Sequence, residues 1–284
     1  MNRRRFLQAG GIGLLTIAGG SLFTDFHGAE RVYPEAKAED TLIIPHEFLN
    51  FLSYAVLAPS GHNTQPWLIR PAGENSFIVS LNRKCLLPAV DPMNRESILS
   101  IGAFMENLIL TAGNSGYSTE TEIIGSSTDI LKLTLRKSKS NPYNMNSITG
   151  RRTVRNGYRQ SDISPLDFSF VSGNDSINFH YFSRESHLGK FLADGTVEAN
   201  RIQAFRDAAQ QELANWIRWS KEEAELKMDG LTPESMEIDG FAGCFVRNFY
   251  ERNSALEPTF RKKNSRKDHR TGPQLWRLDR DNCP

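Results

Sequence analysis

Two short runs carry side chains whose types and spacing could do chemistry. The first is A-P-S-G-H-N-T-Q-P-W, Ala58 to Trp67. Ser60, Asn63 and Gln65 offer a hydroxyl and two primary amides, groups that both donate and accept hydrogen bonds, and Thr64 adds a second hydroxyl. With the open N–H and C=O groups of a loop, they suit the polar edge of a flat heterocycle. The competing reading is an Asx-type loop whose side chains satisfy only its own backbone. The second run is R-R-T-V-R, with Arg151, Arg152, Thr153 and Arg155. Three guanidiniums beside a hydroxyl suit a phosphate, because arginine makes bidentate, charge-assisted contacts. A helix starting after Gly150 or Thr153 would add its free N–H groups. A solvated basic turn is the alternative. Neither an aromatic platform nor a basic face accompanies the run, so nucleic acid is not the expected partner.

Other chemistries find little in the chain. Ser60 and His62 stand two apart with no third partner indicated, and no G-x-S-x-G elbow occurs. His62 reads as a loop surface residue. No His, Cys or carboxylate pair has metal-ligand spacing. Cys85, Cys244 and Cys283 are widely separated, with no C-x-x-C, and read as free or buried thiols.

The elements that must position these runs follow from periodicity. Phe48, Leu49, Leu52, Ala55 and Val56 mark an amphipathic helix over 45–57. Pro59 ends it, since the residue before a proline is pushed out of the helical region. The first run is therefore a loop leaving a helix C-terminus. Residues 67–70 and 77–81 read as strands around a P-A-G-E-N turn. A second helix carries Ile98, Ile101, Met105, Leu108, Ile109 and Ala112 on one face, with Gly113 at its end. Gly102 and Ala103 within it would let another group approach the backbone. Leu131, Leu133 and Leu135 alternate with polar residues, as in a strand with one solvated face. Beyond the polar connector S-K-S-N-P-Y-N-M-N, a strand is expected over 177–182 and a long helix over 197–225. The helix would carry Ile202, Phe205, Leu213, Trp216 and Ile217. From Arg261 onward periodicity is lost.

The whole chain bounds what these parts belong to. Its 284 residues are 39% hydrophobic and 24% charged with a net charge of +1, a composition able to build a sizeable core. That balance names neither a nucleic-acid nor a membrane partner. Residues 261–284 alone hold +5, leaving −4 for the rest. At the N-terminus, Arg3-Arg4 followed by Phe6-Leu7 and an apolar stretch over 9–23 resembles a twin-arginine export signal. The stretch is shorter than the roughly 20 residues that span a membrane. Ala36-Lys37-Ala38 is the nearest cleavage pattern, giving a signal over 1–38. Such an address implies the twin-arginine machinery as a partner and a periplasmic or cell-envelope location. It carries folded proteins, often with a cofactor inside.

P-S-x-x-N-x-Q-P-W after a helix, then G-A-x-x-x-N-L-x-x-x-A on a later one, resembles the FMN-dependent nitroreductase family. R-R-T-V-R-x-x-Y is similar to that family's phosphate-binding motif. In ordinary members the arginine motif precedes the loop; here it follows. With D-P-M-N-R-E and the export signal, that order resembles a divergent, internally duplicated branch typified by mycobacterial Acg proteins. The resemblance implies an α+β fold, a nitroreductase-like sheet flanked by helices in duplicated half-repeats. The first repeat would span 39–147 and the second, degenerate one 148–260, followed by a basic tail over 261–284. The second repeat would be incomplete, as a frameshift or truncation near Arg261 would leave it. FMN is the implied cofactor. Pro59, Ser60, Asn63 and Gln65 would lie against its ring, and Arg151, Arg152, Thr153 and Arg155 would hold its phosphate. Asp91 and Arg95 are further candidates. NAD(P)H is an implied electron donor and a nitroaromatic or quinone the implied acceptor, although an exported protein meets little NAD(P)H. The assembly would be a homodimer or a monomeric pseudo-dimer. Two alternatives stand beside the reductase: a flavin-binding protein without turnover, and an inactive remnant.

Overall fold

The computed structural model describes residues 46–126, 128–155, 163–172 and 179–262. The expected signal over 1–38 and almost all of the basic tail lie outside the described residues. Helix α1, His46–Ala55, turns Phe48 and Phe51 inward, and each is 1% exposed. Beyond Ala55 the chain tightens into turn bonds from Leu57 to Tyr54 and Ala58 to Ala55, and Pro59 keeps the helix from resuming. Strand β1, Trp67–Gly73, and strand β2, Ser76–Leu81, form an antiparallel hairpin whose register shifts between Pro71 and Gly73. Helix α2, Arg95–Asn114, then crosses to strands β3, Tyr117–Ile123, and β4, Asp129–Lys137. The four strands make one antiparallel sheet in the order β1-β2-β4-β3.

Both helices pack on the sheet. The buried stripe of α2 runs through Ser97, Ile101, Phe104, Met105, Leu108 and Ala112, the three- and four-residue spacing of a helix face. Ile98 stands beside the stripe and is 46% exposed, so it leaves the expected set. The helix runs past Gly113 and closes where the Ser115 N–H bonds the Thr111 carbonyl at 3.1 Å. A Cβ added at Gly102 would meet nothing within 4 Å, so no described group uses the close approach that residue permits. Phe48 stacks on Phe77 with ring centroids 3.6 Å apart, and Trp67 stacks on Phe104 at 4.9 Å. Each buried ring contributes on the order of 2–3 kcal/mol by area.

After Lys137 the chain becomes helical. The elements are α3, Asn146–Thr149; α4, Pro165–Ser172; α5, His187–Phe205; α6, Asp207–Trp216; α7, Lys221–Lys227; and α8, Gly240–Phe249. The single long helix expected over 197–225 is three helices instead. Arg206 takes an extended conformation (φ −84°, ψ 113°) and breaks the first from the second. Ile217 is also extended, and it forms a parallel bridge with Leu231. Ser220 restarts the chain as α7 by accepting from the Glu223 N–H at 3.2 Å. Ile202 and Phe205 consequently stay exposed. Ala214, Ile217, Trp219, Val246 and Ala255 form a second apolar cluster. Residues 179–182 carry no strand, and 177–178 lie outside the described residues.

The architecture is α+β, a four-stranded antiparallel sheet flanked by helices. Among the described residues, no helix is long and apolar enough to cross a membrane.

Candidate functional site

The loop after α1 is held in an unusual backbone. Ser60 is extended, then His62, Asn63 and Gln65 take φ of 48°, 53° and 52°. This left-handed region costs non-glycine residues about 1–2 kcal/mol each. Such strain persists only where surroundings impose it, and it concentrates at functional sites. Two further positive-φ residues, Met228 (49°) and Glu237 (56°), lie in the segment that packs against this loop and the arginine run.

Local bonds account for part of the shape. The Asn63 N–H donates to the Ser60 carbonyl and the Thr64 N–H to the Gly61 carbonyl, both at 3.0 Å. The Ser60 hydroxyl accepts from the Gln65 N–H at 3.0 Å. Ser60 therefore serves its own loop, as the Asx-type reading anticipates. Gly61 packs closely: a Cβ there would fall 2.9 Å from the end of the Glu96 side chain and 3.2 Å from Leu87, so both would have to give way. Burial and the neighbouring Asp91 raise the pKa of that Glu96 carboxyl.

Long-range bonds account for the rest. Asn63 and Gly230 exchange two bonds: the Asn63 amide donates to the Gly230 carbonyl, and the Gly230 N–H donates to the Asn63 carbonyl, both at 3.0 Å. The Gln65 amide donates to the Met228 carbonyl at 2.7 Å. Gly230 has φ +78°, and an added Cβ would sit 2.5 Å from the Trp216 carbonyl, so this turn admits only glycine. The amide N–H groups assigned to a ring edge are thus engaged by residues 228–230.

The arginine run reaches the same loop. An Arg151 guanidinium nitrogen donates to the Leu57 carbonyl at 3.2 Å, at the end of α1. Arg155 donates its backbone N–H to Glu237 at 2.9 Å and its Nε–H to the Ser235 carbonyl at 2.9 Å. Its charge acts on His62: burial first, then Arg155, lowers the imidazole pKa to about 4. His62 is neutral at physiological pH. Arg152, Thr153 and Arg155 are exposed, and Pro59 is exposed at the loop entrance. Gly150 closes the short helix α3, so the arginines follow a helix C-terminus. No described helix start at Gly150 adds N–H groups to them.

Asp91 and Arg95 lie at the start of α2. The buried Asp91 carboxylate accepts from the N–H groups of Arg95 at 2.7 Å and Ser97 at 2.9 Å, and from the Ser97 hydroxyl at 3.0 Å. It is a helix cap, stabilised further by the positive end of the helix dipole.

The structure therefore brings Pro59, Ser60, Asn63, Gln65, Arg151 and Arg155 to one place, with Arg152 and Thr153 open to solvent beside it. Sequence reasoning treated His62 as a surface residue and passed over Met228, Ser235 and Glu237. The Asp229-Gly230 pair, a strong turn signal, marked the first of these segments; nothing in the sequence marked Glu237.

Searched against known families, the chain matches no family model. A stretch of 77 residues, 27% of this chain, is 35% identical to the probable NAD(P)H nitroreductase PigM of Serratia sp. (strain ATCC 39006). This partial likeness supports a nitroreductase-like family. The match spans about a fifth (21%) of that protein's length.

Proposed function

We propose that the chain is a flavin-dependent oxidoreductase of nitroreductase type, with FMN held between the Ala58–Trp67 loop and the Arg151–Arg155 run. One observation carries the reading. Two motifs some ninety residues apart in sequence meet at Leu57–Gln65, Arg151 by a hydrogen bond and Arg155 by its charge on His62. The partial likeness to a probable NAD(P)H nitroreductase supports the same class of chemistry.

The residues fit the phosphate end of such a cofactor. Arg152, Thr153 and Arg155 are exposed side by side, and guanidiniums pair with phosphate oxygens by charge-assisted bonds. The ring end fits once the Asn63 and Gln65 amides are released from the Gly230 and Met228 carbonyls. Bound FMN would supply two-electron transfer from NAD(P)H, or another donor outside the cytoplasm, to a nitroaromatic or quinone. The chain's own contribution is to grip the phosphate and keep a neutral imidazole, His62, beside the ring edge. Its loop backbone, pinned by Ser60 and Gly61, holds that edge still.

The test is FMN titration of the chain followed by flavin fluorescence. The exposed Arg152→Ala and the double change Arg151→Ala/Arg155→Ala should each weaken binding, the double change by at least about tenfold. Unchanged binding in both would remove the phosphate cradle. A second reading is flavin binding without turnover. NAD(P)H oxidation by FMN-loaded protein selects the reductase, and its absence with tight FMN binding selects the binder. The export signal over 1–38 belongs to this reading as a periplasmic or cell-envelope address, tested by fractionating cells that express the full chain.

A further inference from the structure

A cleft of about 650 Å³ lies between residues 84–89 and the α6–α7 region, and the flavin reading makes no use of it. Its volume is in the range of small-molecule sites, roughly 300–1,000 Å³. Leu86, Pro88 and Ala89 from one side and Ala208 and Trp216 from the other give it apolar lining.

The charges in the cleft are unequally committed. Glu212 is buried and accepts from the N–H groups of Ala89 at 2.8 Å and Val90 at 3.0 Å. Asp229 takes the Arg218 guanidinium at 2.6 Å. Arg218 in turn donates to the Asn215 carbonyl at 2.7 Å and lies 5.4 Å from the Trp216 ring centroid. The Asp229 charge is therefore paired, and both Glu212 oxygens are taken by backbone N–H donors. At the rim, Lys227 is tied at 2.9 Å to Glu223. Lys84 is exposed, and its ammonium has no partner among the described residues. Apolar lining with a partnerless ammonium at its rim suits a ligand that is apolar along its length and anionic at one end.

We propose that this cleft binds a planar aromatic acid, its ring between Leu86 and Trp216 and its carboxylate or sulfonate at Lys84. The site does not depend on the flavin reading. Naphthalene-2-carboxylate titrated calorimetrically into the full chain should bind saturably, and neutral 2-naphthylmethanol should bind more weakly by about tenfold, the worth of one partly screened ion pair. Lys84→Glu, at an exposed position, should reduce affinity for the acid by a similar factor while leaving the neutral analogue unchanged. Ala208→Trp, also at an exposed helix position, fills the cleft and should abolish binding of both. Absence of saturable heat up to roughly 1 mM probe overturns the proposal, as does equal binding of acid and alcohol, or indifference to both variants. FMN added to saturation should leave naphthoate binding unchanged. Displacement by FMN would make the two sites one and overturn the proposal, whereas the arginine variants that test the flavin site leave this cleft untouched.

Discussion

Among the described residues, fourteen buried apolar side chains form one cluster under the sheet over 46–137, whereas five form the cluster beyond Asn146. The second region makes up the difference with charge. Arg218 and Arg247, each with a side chain only 5% exposed, pair with Asp229 and Glu234, and Glu212 clamps the Ala89–Val90 backbone. One half is organised by non-directional burial, the other by directional bonds. A buried ion pair contributes less net stability than its contacts suggest, but removing one partner is costly. The helical region should therefore tolerate apolar trimming and fail on the loss of single charges.

That contrast can be broken in order of expected effect. Phe104→Ala, fully buried and stacked on Trp67, should cost about 4 kcal/mol in denaturant unfolding. Arg218→Ala should cost about 3 kcal/mol by leaving Asp229 without its partner. A loss under about 1 kcal/mol would show that the second region does not rely on its charges. Asp91→Ala removes the cap of α2 and should cost about 1–2 kcal/mol, a local effect inside the first region.

The last effect sits at the junction of the two and vanishes at neutral pH. The folded pKa of His62, about 4, lies below its ordinary 6.5, so between these values the unfolded chain binds a proton that the native chain refuses. Stability from this residue is complete above pH 6.5 and is lost progressively as pH falls toward 4. His62→Gln should flatten that acid limb in unfolding midpoints taken across the window. A limb unchanged by the substitution would assign acid sensitivity to another group.

The same contrast explains what the sequence disclosed. Periodicity located α1, β1, β2, α2 and β4, because burial against a sheet imposes a regular apolar spacing. Strand β3 was passed over. At the sheet edge it needs little apolar surface, and its Y-S-T-E-T-E-I run shows only β-branched residues between charges. In the helical region an apolar count over 197–225 suggested one helix. The break at Ile217 goes with a bridge to Leu231 that no local pattern announces, and Arg206 turns extended eleven residues earlier. At the candidate site, both motifs were legible as residue types. Their meeting, and the claim of Met228 and Gly230 on the Asn63 and Gln65 amides, arises from bonds spanning more than 160 residues.

The reciprocal pair between Asn63 and Gly230 closes residues 63–230, the sheet strands included, into a ring of chain. Most of the connector over 138–147 is exposed; Ser138, Ser140, Asn141 and Tyr143 bond to residues 113–116, whereas residues 144–147 bond only to near neighbours and can take an insertion. Closure entropy grows only with the logarithm of ring size, so a peptide of some tens of residues spliced into that connector costs well under about 1 kcal/mol. By the same token, a protease that nicks the connector leaves two fragments still fastened at Asn63 and Gly230. They should migrate together on a sizing column and separate only in denaturant.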